Sequence, residues 1–132
     1  MALEHGTQRV EPVPGRRVIV TAGFCATNID DLQWMAQTVL DHAKDWDKCG
    51  WAYIADCTQM DPVQPHEANE LVSMTKRFVA AGCKAFGFAE GGATLLKIQA
   101  KSNTKRSATG VLEAHFATVE EALDWIQKEV HM

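Results

Sequence analysis

Long apolar runs, a basic excess and paired cysteines are all missing from this sequence of 132 residues. No uncharged apolar stretch approaches the roughly 18 residues that a membrane-spanning helix needs. Thirteen lysines and arginines stand against seventeen aspartates and glutamates, a net charge of −4, whereas nucleic-acid-binding domains normally carry a basic excess. Residues 1–10 hold no apolar core of the kind found in secretory signals. We therefore expect a cytoplasmic protein that binds no nucleic acid and does not insert stably into membranes.

The cysteines show no pattern typical of a metal or redox site. Cys25, Cys49, Cys57 and Cys83 form no C-x-x-C pair, and no histidine stands at a zinc-like offset from any of them. In a reducing compartment free cysteines are mostly buried and behave as small hydrophobic side chains. The sequence therefore predicts four structural thiols, no metal site and no cofactor.

Strand-like and helix-like segments alternate along the chain. A polar segment up to the Pro14-Gly15 turn precedes the β-branched run 18–24, which predicts an antiparallel edge hairpin. Further strands are predicted at 51–55, 85–89 and 111–116, and helices at 28–50, 65–82, 93–109 and 118–130. The alternation indicates parallel pairing with helices packed on a sheet. We predict one α/β domain over 1–132, with a mostly parallel five-stranded sheet, four helices and a loose terminus at 1–6.

One cluster could support nucleophilic catalysis. Open α/β sheets place ligands at the carboxyl ends of their strands, where Cys57, Asp61 and His66 are expected. A thiolate at Cys57 with His66 as its base and Asp61 orienting the imidazole would make a small cysteine-dependent enzyme. The alternative is a structural thiol that points into the core and a histidine on the solvated surface.

The segment Gly91-Gly92-Ala93-Thr94 lies between a strand and a helix, where backbone N–H groups can bind an anion. It lacks the glycine patterns of dinucleotide and P-loop sites. Two adjacent glycines can equally serve only to let the backbone turn.

The predicted helix 93–109 carries four cations and no acid within a protein of net charge −4. Three lysines at i, i+4 and i+8 share one face: Lys97, Lys101 and Lys105. Such a stripe fits an acidic partner or an anionic ligand, or it is simply a solvated face. The apolar side of this helix fades after Ile98, which predicts loose packing on the sheet.

From Thr7 to Val130 the chain resembles the STAS superfamily and, within it, the SpoIIAA-like proteins. The residues that carry the resemblance are the hairpin through Pro14-Gly15, the strand ending Tyr53-Ile-Ala-Asp56, the helix end Ala80-Ala-Gly82 before Cys83-Lys-Ala-Phe86, and the closing Phe116-Ala-Thr-Val-Glu-Glu-Ala-Leu-Asp-Trp-Ile126. The resemblance implies a SpoIIAA-like α/β sandwich. Its members are mostly non-catalytic regulators, such as anti-anti-sigma factors, and more distant SEC14-like relatives bind lipids in an apolar groove.

One departure from the family pattern concerns the phosphorylated side chain of the anti-sigma antagonists. That Ser or Thr lies at the start of the helix after the Asp-ending strand, whereas residues 60–67 here contain no hydroxyl side chain. Thr58 lies too early and Ser73 too far into the helix. The phosphorylation switch is therefore not expected in this chain.

These observations predict a non-catalytic module that recognises a protein partner or a small apolar or anionic ligand. The expected contact surface is helix 65–80 with Asp61 and His66, together with Gly91, Gly92 and the lysine stripe. Trp34 is expected to supply an exposed aromatic anchor, because tryptophan is enriched at interface hot spots. A homodimer, the Cys57–His66 enzyme and a SEC14-like lipid carrier with its groove beneath helix 93–109 remain as alternatives.

Overall fold

A computed structural model describes residues 2–132, which form one six-stranded sheet with four helices. The elements in chain order are β1 (Leu3–His5), β2 (Gln8–Pro12), β3 (Val18–Cys25), α1 (Ile29–Ala43), β4 (Trp51–Met60), α2 (Pro65–Ala80), β5 (Cys83–Ala89), α3 (Thr94–Ser107), β6 (Leu112–Phe116) and α4 (Val119–Glu129). The strands lie side by side in the order in which they occur along the chain. Strands β1, β2 and β3 pair antiparallel, and β3 to β6 pair parallel.

The sheet separates two apolar layers. Because successive side chains of a strand point to opposite faces, Trp51 and Tyr53 of β4 pack beneath α1 and α2, while Ala52 and Ile54 pack beneath α4. Phe78 of α2 is fully buried and meets the rings of Trp51, Tyr53 and Phe86. The larger layer, on the face of α1, α2 and α3, also contains the cavity described below.

Polar side chains fix where the helices begin. The side chain of Asn28 accepts a hydrogen bond from the backbone N–H of Asp31, and that of Thr118 accepts one from Glu121. Pro65 is the first residue of α2, where its missing N–H costs nothing. The predicted starts of α1, α2 and α4 are therefore confirmed.

The sheet has six strands, whereas the sequence pattern predicts five. Leu3–His5, expected to belong to a loose terminus at 1–6, pairs antiparallel with β2 through a turn at Gly6, whose φ is +55°. All three side chains of β1 are exposed, so backbone hydrogen bonds rather than apolar burial form this strand. No alternation of apolar residues therefore marks it in the sequence.

Strand β2 consequently lies inside the sheet, although its prolines predicted an edge strand. Pro12 is accommodated because β1 pairs only as far as Val10, so no neighbour on that side needs a donor at position 12.

Two predicted boundaries were wrong, one of them next to the cavity described below. Helix α1 ends at Ala43 instead of reaching Gly50, and β4 continues to Met60 instead of stopping at Ala55. The extension of β4 pairs with the end of β3 beyond a register shift between Ala22 and Phe24. Asp56 and Cys57 thus lie within a strand. Within residues 2–132, no helix is long and apolar enough to cross a bilayer.

Candidate functional site

An apolar cavity of about 70 Å³ lies between the sheet and the helices α1, α2 and α3. Its wall combines three methionines with three aromatic rings: Met35, Met60, Met74, Tyr53, Phe86 and Phe88. Methionine is unbranched and flexible, so a methionine-lined wall can adapt to the shape of an apolar molecule.

The inner face of α3 explains why space is left. Leu96 is the one large apolar side chain that this helix buries, and the next inward positions are Ala100, Asn103 and Thr104. These short side chains do not fill the gap between α3 and the sheet. On the opposite wall, Gly23 leaves room for a side chain of β4, because a Cβ at Gly23 would lie 2.6 Å from the sulfur of Met60.

Polar contacts hold α3 over the cavity. The side chain of Gln99 donates to the backbone carbonyl of Val63 and accepts from its N–H, both at 3.0 Å. Near the C-terminal end of the helix, Arg106 donates to the side chain of Asn69 on α2. Helix α3 is therefore tied down by hydrogen bonds from its middle and from its C-terminal end, and Leu96 is the one large apolar side chain that it buries.

The titratable groups deep in the cavity are neutral at pH 7. Burial raises the pKa of the Cys57 thiol to about 12, and the nearby carboxylates of Glu90 and Asp56 act in the same direction. Burial also raises the pKa of Tyr53, although its hydroxyl shares a 2.6 Å hydrogen bond with Thr21. The thiol and the phenol therefore both carry their protons.

The structure does not bring together the residues of the cysteine-dependent alternative. The sulfur of Cys57 is buried and lies 3.9 Å from the carbonyl oxygen of Ala55. His66 is exposed at the start of α2, with its Nε2 3.0 Å from Oε2 of Glu67. Asp61 is also exposed, and neither it nor His66 lines the cavity. The hydrogen-bonded cysteine–histidine pair that the enzyme requires is not formed.

A second, polar cavity of about 330 Å³ lies at the carboxyl ends of β5 and β6. Gly91, Gly92 and Lys97 line it together with Glu90 and His115. The other two lysines of the predicted stripe, Lys101 and Lys105, lie farther along α3 and are exposed to solvent. The glycine turn and one lysine are thus neighbours, whereas the stripe as a whole faces away from the cavity.

Sequence reasoning missed a buried row of ionisable side chains beside this polar cavity. Nδ1 of His115 lies 2.9 Å from Glu90 Oε1, and its Nε2 lies 3.0 Å from Glu113 Oε2. Each nitrogen of the imidazole therefore faces one carboxylate. The ring of His115 also stacks on Phe88, with 5.0 Å between the ring centroids. In the sequence, the signal that could have indicated this row is the spacing of Glu113 and His115, which stand two positions apart on a strand.

Trp34, predicted to be an exposed anchor, is half-buried. It packs against the larger apolar layer, and the ring of His5 stacks on it with 5.2 Å between centroids. Within residues 2–132, no group of three or more histidine, cysteine or acidic side chains is arranged to hold a metal ion.

This mostly parallel sheet with helices on both faces is a SpoIIAA-like fold, as the sequence resemblance predicted. One solved structure with this fold is an uncharacterized protein of the DUF3478 family from Shewanella loihica PV-4. The two structures align with a TM-score of 0.67 over 88% of this chain and 89% of that one, at 16% sequence identity. No family model and no curated protein matches the chain. At this identity the likeness establishes the fold alone.

Proposed function

We propose that this protein is a non-catalytic binding module that takes a small apolar molecule into the cavity beneath α3. The observation that carries the proposal is the cavity itself, about 70 Å³ within the apolar layer that buries Trp51, Phe78 and Phe86. Protein interiors are normally filled to the density of organic crystals. A space several times larger than the roughly 10–15 Å³ that one water needs, with an apolar wall, favours an apolar occupant.

The chemistry of the wall supports binding rather than turnover. Cys57 is the strongest nucleophile in the cavity, and its raised pKa keeps the thiol protonated. The nearest predicted base, His66, is exposed and lies beside Glu67. Cys25 and Cys49 are exposed, so the prediction of four structural thiols holds only for the buried Cys57 and Cys83. Free thiols at the surface suit a reducing compartment, and we propose the cytoplasm.

A second candidate function rests on the outer face of α3. Leu95 and Ile98 are 53% and 58% exposed there, beside Lys97 and Lys101. Exposed aliphatic side chains flanked by lysines suit an acidic protein surface. The test is a pulldown that compares wild type with a variant in which Lys97, Lys101 and Lys105 are changed to glutamate. If the variant retains every partner that the wild type captures, the lysines contact only solvent.

The cavity proposal is tested by NMR of protein that carries ¹³C-labelled methionine methyl groups, titrated with toluene. We expect the signals of Met35, Met60 and Met74 to shift and saturate, while that of the exposed Met132 stays in place. Ala100→Leu adds a branched side chain to the wall and should abolish the shifts. Ser102→Leu, at an exposed position on the same helix, is the matched control and should bind as the wild type does.

An unchanged spectrum of the three cavity methionines at saturating toluene would refute the proposal. Equal binding by wild type and Ala100→Leu would also refute it, because the toluene would then occupy another site.

A further inference from the structure

A third depression lies where β3 and β4 begin, at the end of these strands remote from Cys57 and Met60. It is open to solvent and has a volume of about 450 Å³. Arg16, Arg17 and Trp46 line it together with the hairpin turn 12–15. No acidic side chain lines this arginine depression, although the protein as a whole has a net charge of −4.

Hydrogen bonds to backbone carbonyls hold both guanidinium groups in place. Nε of Arg17 donates to the carbonyl oxygen of Gly50 at 2.8 Å. Nη2 of Arg16 donates to the carbonyl oxygen of Leu123 at 3.3 Å. The backbone is fixed as well, since the carbonyl of Arg17 accepts from the N–H of Ala52. The two side chains are therefore positioned before a ligand arrives, which lowers the entropy cost of binding.

Neither guanidinium is neutralised by a carboxylate. Within residues 2–132, no ion pair includes Arg16 or Arg17. A guanidinium has several N–H donors, and each of these two uses only part of that set on a carbonyl. Their other nitrogens are not among the buried atoms that lack a partner, so solvent reaches them. Two adjacent positive charges with available donors therefore line an open depression.

Trp46 supplies an apolar wall next to these charges. It is half-buried, because it packs against the larger apolar layer and also lines the depression. An indole offers a flat face on which another ring can stack. A ligand that suits this arrangement carries negative charge at one end and a flat ring at the other.

We propose that the arginine depression binds a small phosphate monoester that carries a flat ring. A phosphate monoester bears a charge of about −1.5 to −2 at pH 7, which matches two guanidinium groups better than the single charge of a carboxylate. Arginine binds phosphate oxygens through paired N–H···O bonds. The ring packs against Trp46. This site is separate from the cavity beneath α3 and does not depend on the function proposed for that cavity.

Four ligands test this assignment at pH 7: phenyl phosphate, inorganic phosphate, phenol and benzoate. Each is titrated into ¹⁵N-labelled protein and read at the indole N–H signals of the four tryptophans. Phenyl phosphate should shift the signal of Trp46 and saturate, while that of the fully buried Trp51 stays in place. Inorganic phosphate lacks the ring, phenol lacks the charge, and benzoate carries only one charge. Each should bind at least about fivefold more weakly, the contribution of one exposed ion pair.

Arg16→Gln and Arg17→Gln should each weaken phenyl phosphate binding about five- to tenfold, between the values of an exposed ion pair and of a hydrogen bond to a charged group. Arg16→Lys keeps the charge and should recover part of this loss. Arg77→Gln removes the same charge from an exposed position on α2 and is the matched control, which should bind as the wild type does. A urea unfolding transition for each variant shows that it is folded, and the ligand series on the wild type decides the proposal if a variant is not.

The absence of a saturable Trp46 shift with phenyl phosphate would overturn the proposal. Phenol or benzoate binding as tightly as phenyl phosphate would overturn it too, because the doubly charged phosphate would then contribute nothing. Equal weakening by Arg77→Gln and Arg16→Gln would also overturn it, since overall charge rather than the depression would then attract the ligand. None of these outcomes bears on the toluene titration, which reports the cavity methionines.

Discussion

The four thiols of this protein should react at very different rates, and the difference separates a binding module from a cysteine-dependent enzyme. Alkylating reagents attack the thiolate, so the reaction rate follows its population. Burial raises the pKa of Cys57 from 9.0 to about 12. At pH 7 this lowers the thiolate fraction about a thousandfold relative to a thiol at the starting value, since each pKa unit is tenfold. Restricted access to a buried sulfur slows the reaction further.

The measurement is a time course of iodoacetamide labelling at pH 7, read by peptide mass spectrometry. Cys25 and Cys49 are exposed and should label first, while Cys57 and Cys83 should stay unmodified on the same time scale. Cys83, whose pKa burial also raises to about 12, is the internal comparator. Denaturant-unfolded protein should label at all four sites. Labelling of Cys57 ahead of the exposed thiols would show an activated thiol and would restore the enzyme alternative.

Three further predictions concern stability. The hydrogen bond from the backbone N–H of Thr7 is the main cause that lowers the pKa of Asp31, so this carboxylate stabilises the fold at pH values above its unfolded pKa. In urea titrations, the difference in unfolding free energy between wild type and Asp31→Asn should decrease as the pH falls through the lowered pKa. It should not decrease between pH 6 and 8. Phe78→Ala removes a fully buried ring and should cost about 3–5 kcal/mol in the same assay, and a loss below 1 kcal/mol would contradict the described packing. His115→Ala leaves Glu90 and Glu113 without their shared partner and should cost about 3 kcal/mol, whereas an unchanged midpoint would show that the row contributes nothing.

The order of strands and helices was predictable from local signals. The β-branched run of β3, the cap at Thr118 and the glycine after α2 each act within a few residues, so the sequence displays them directly. Strand β1 was not predictable, because its exposed side chains leave no pattern and its order comes from backbone pairing with β2.

The candidate site was predictable only in outline. The fading apolar side of α3 indicated loose packing over a groove, and a cavity lies at that place. The predicted end of β4 at Ala55 was wrong because the length of this strand depends on pairing with β3 across the irregularity at Gly23, whereas Cys57 is buried, as predicted for a structural thiol. Glu90 and His115 are 25 residues apart, and only the register of β5 on β6 brings them together. The end of β4 and the contact between Glu90 and His115 both depend on long-range strand pairing, which the local sequence does not encode.

Binding in the cavity is tested most directly by intermolecular nuclear Overhauser effects between bound toluene and the methionine methyl groups. If an apolar molecule binds beneath α3, effects are expected to Met35, Met60 and Met74, whose side chains line this cavity. Effects confined to surface side chains such as Leu95 and Ile98, with none to the three methionines, would contradict it.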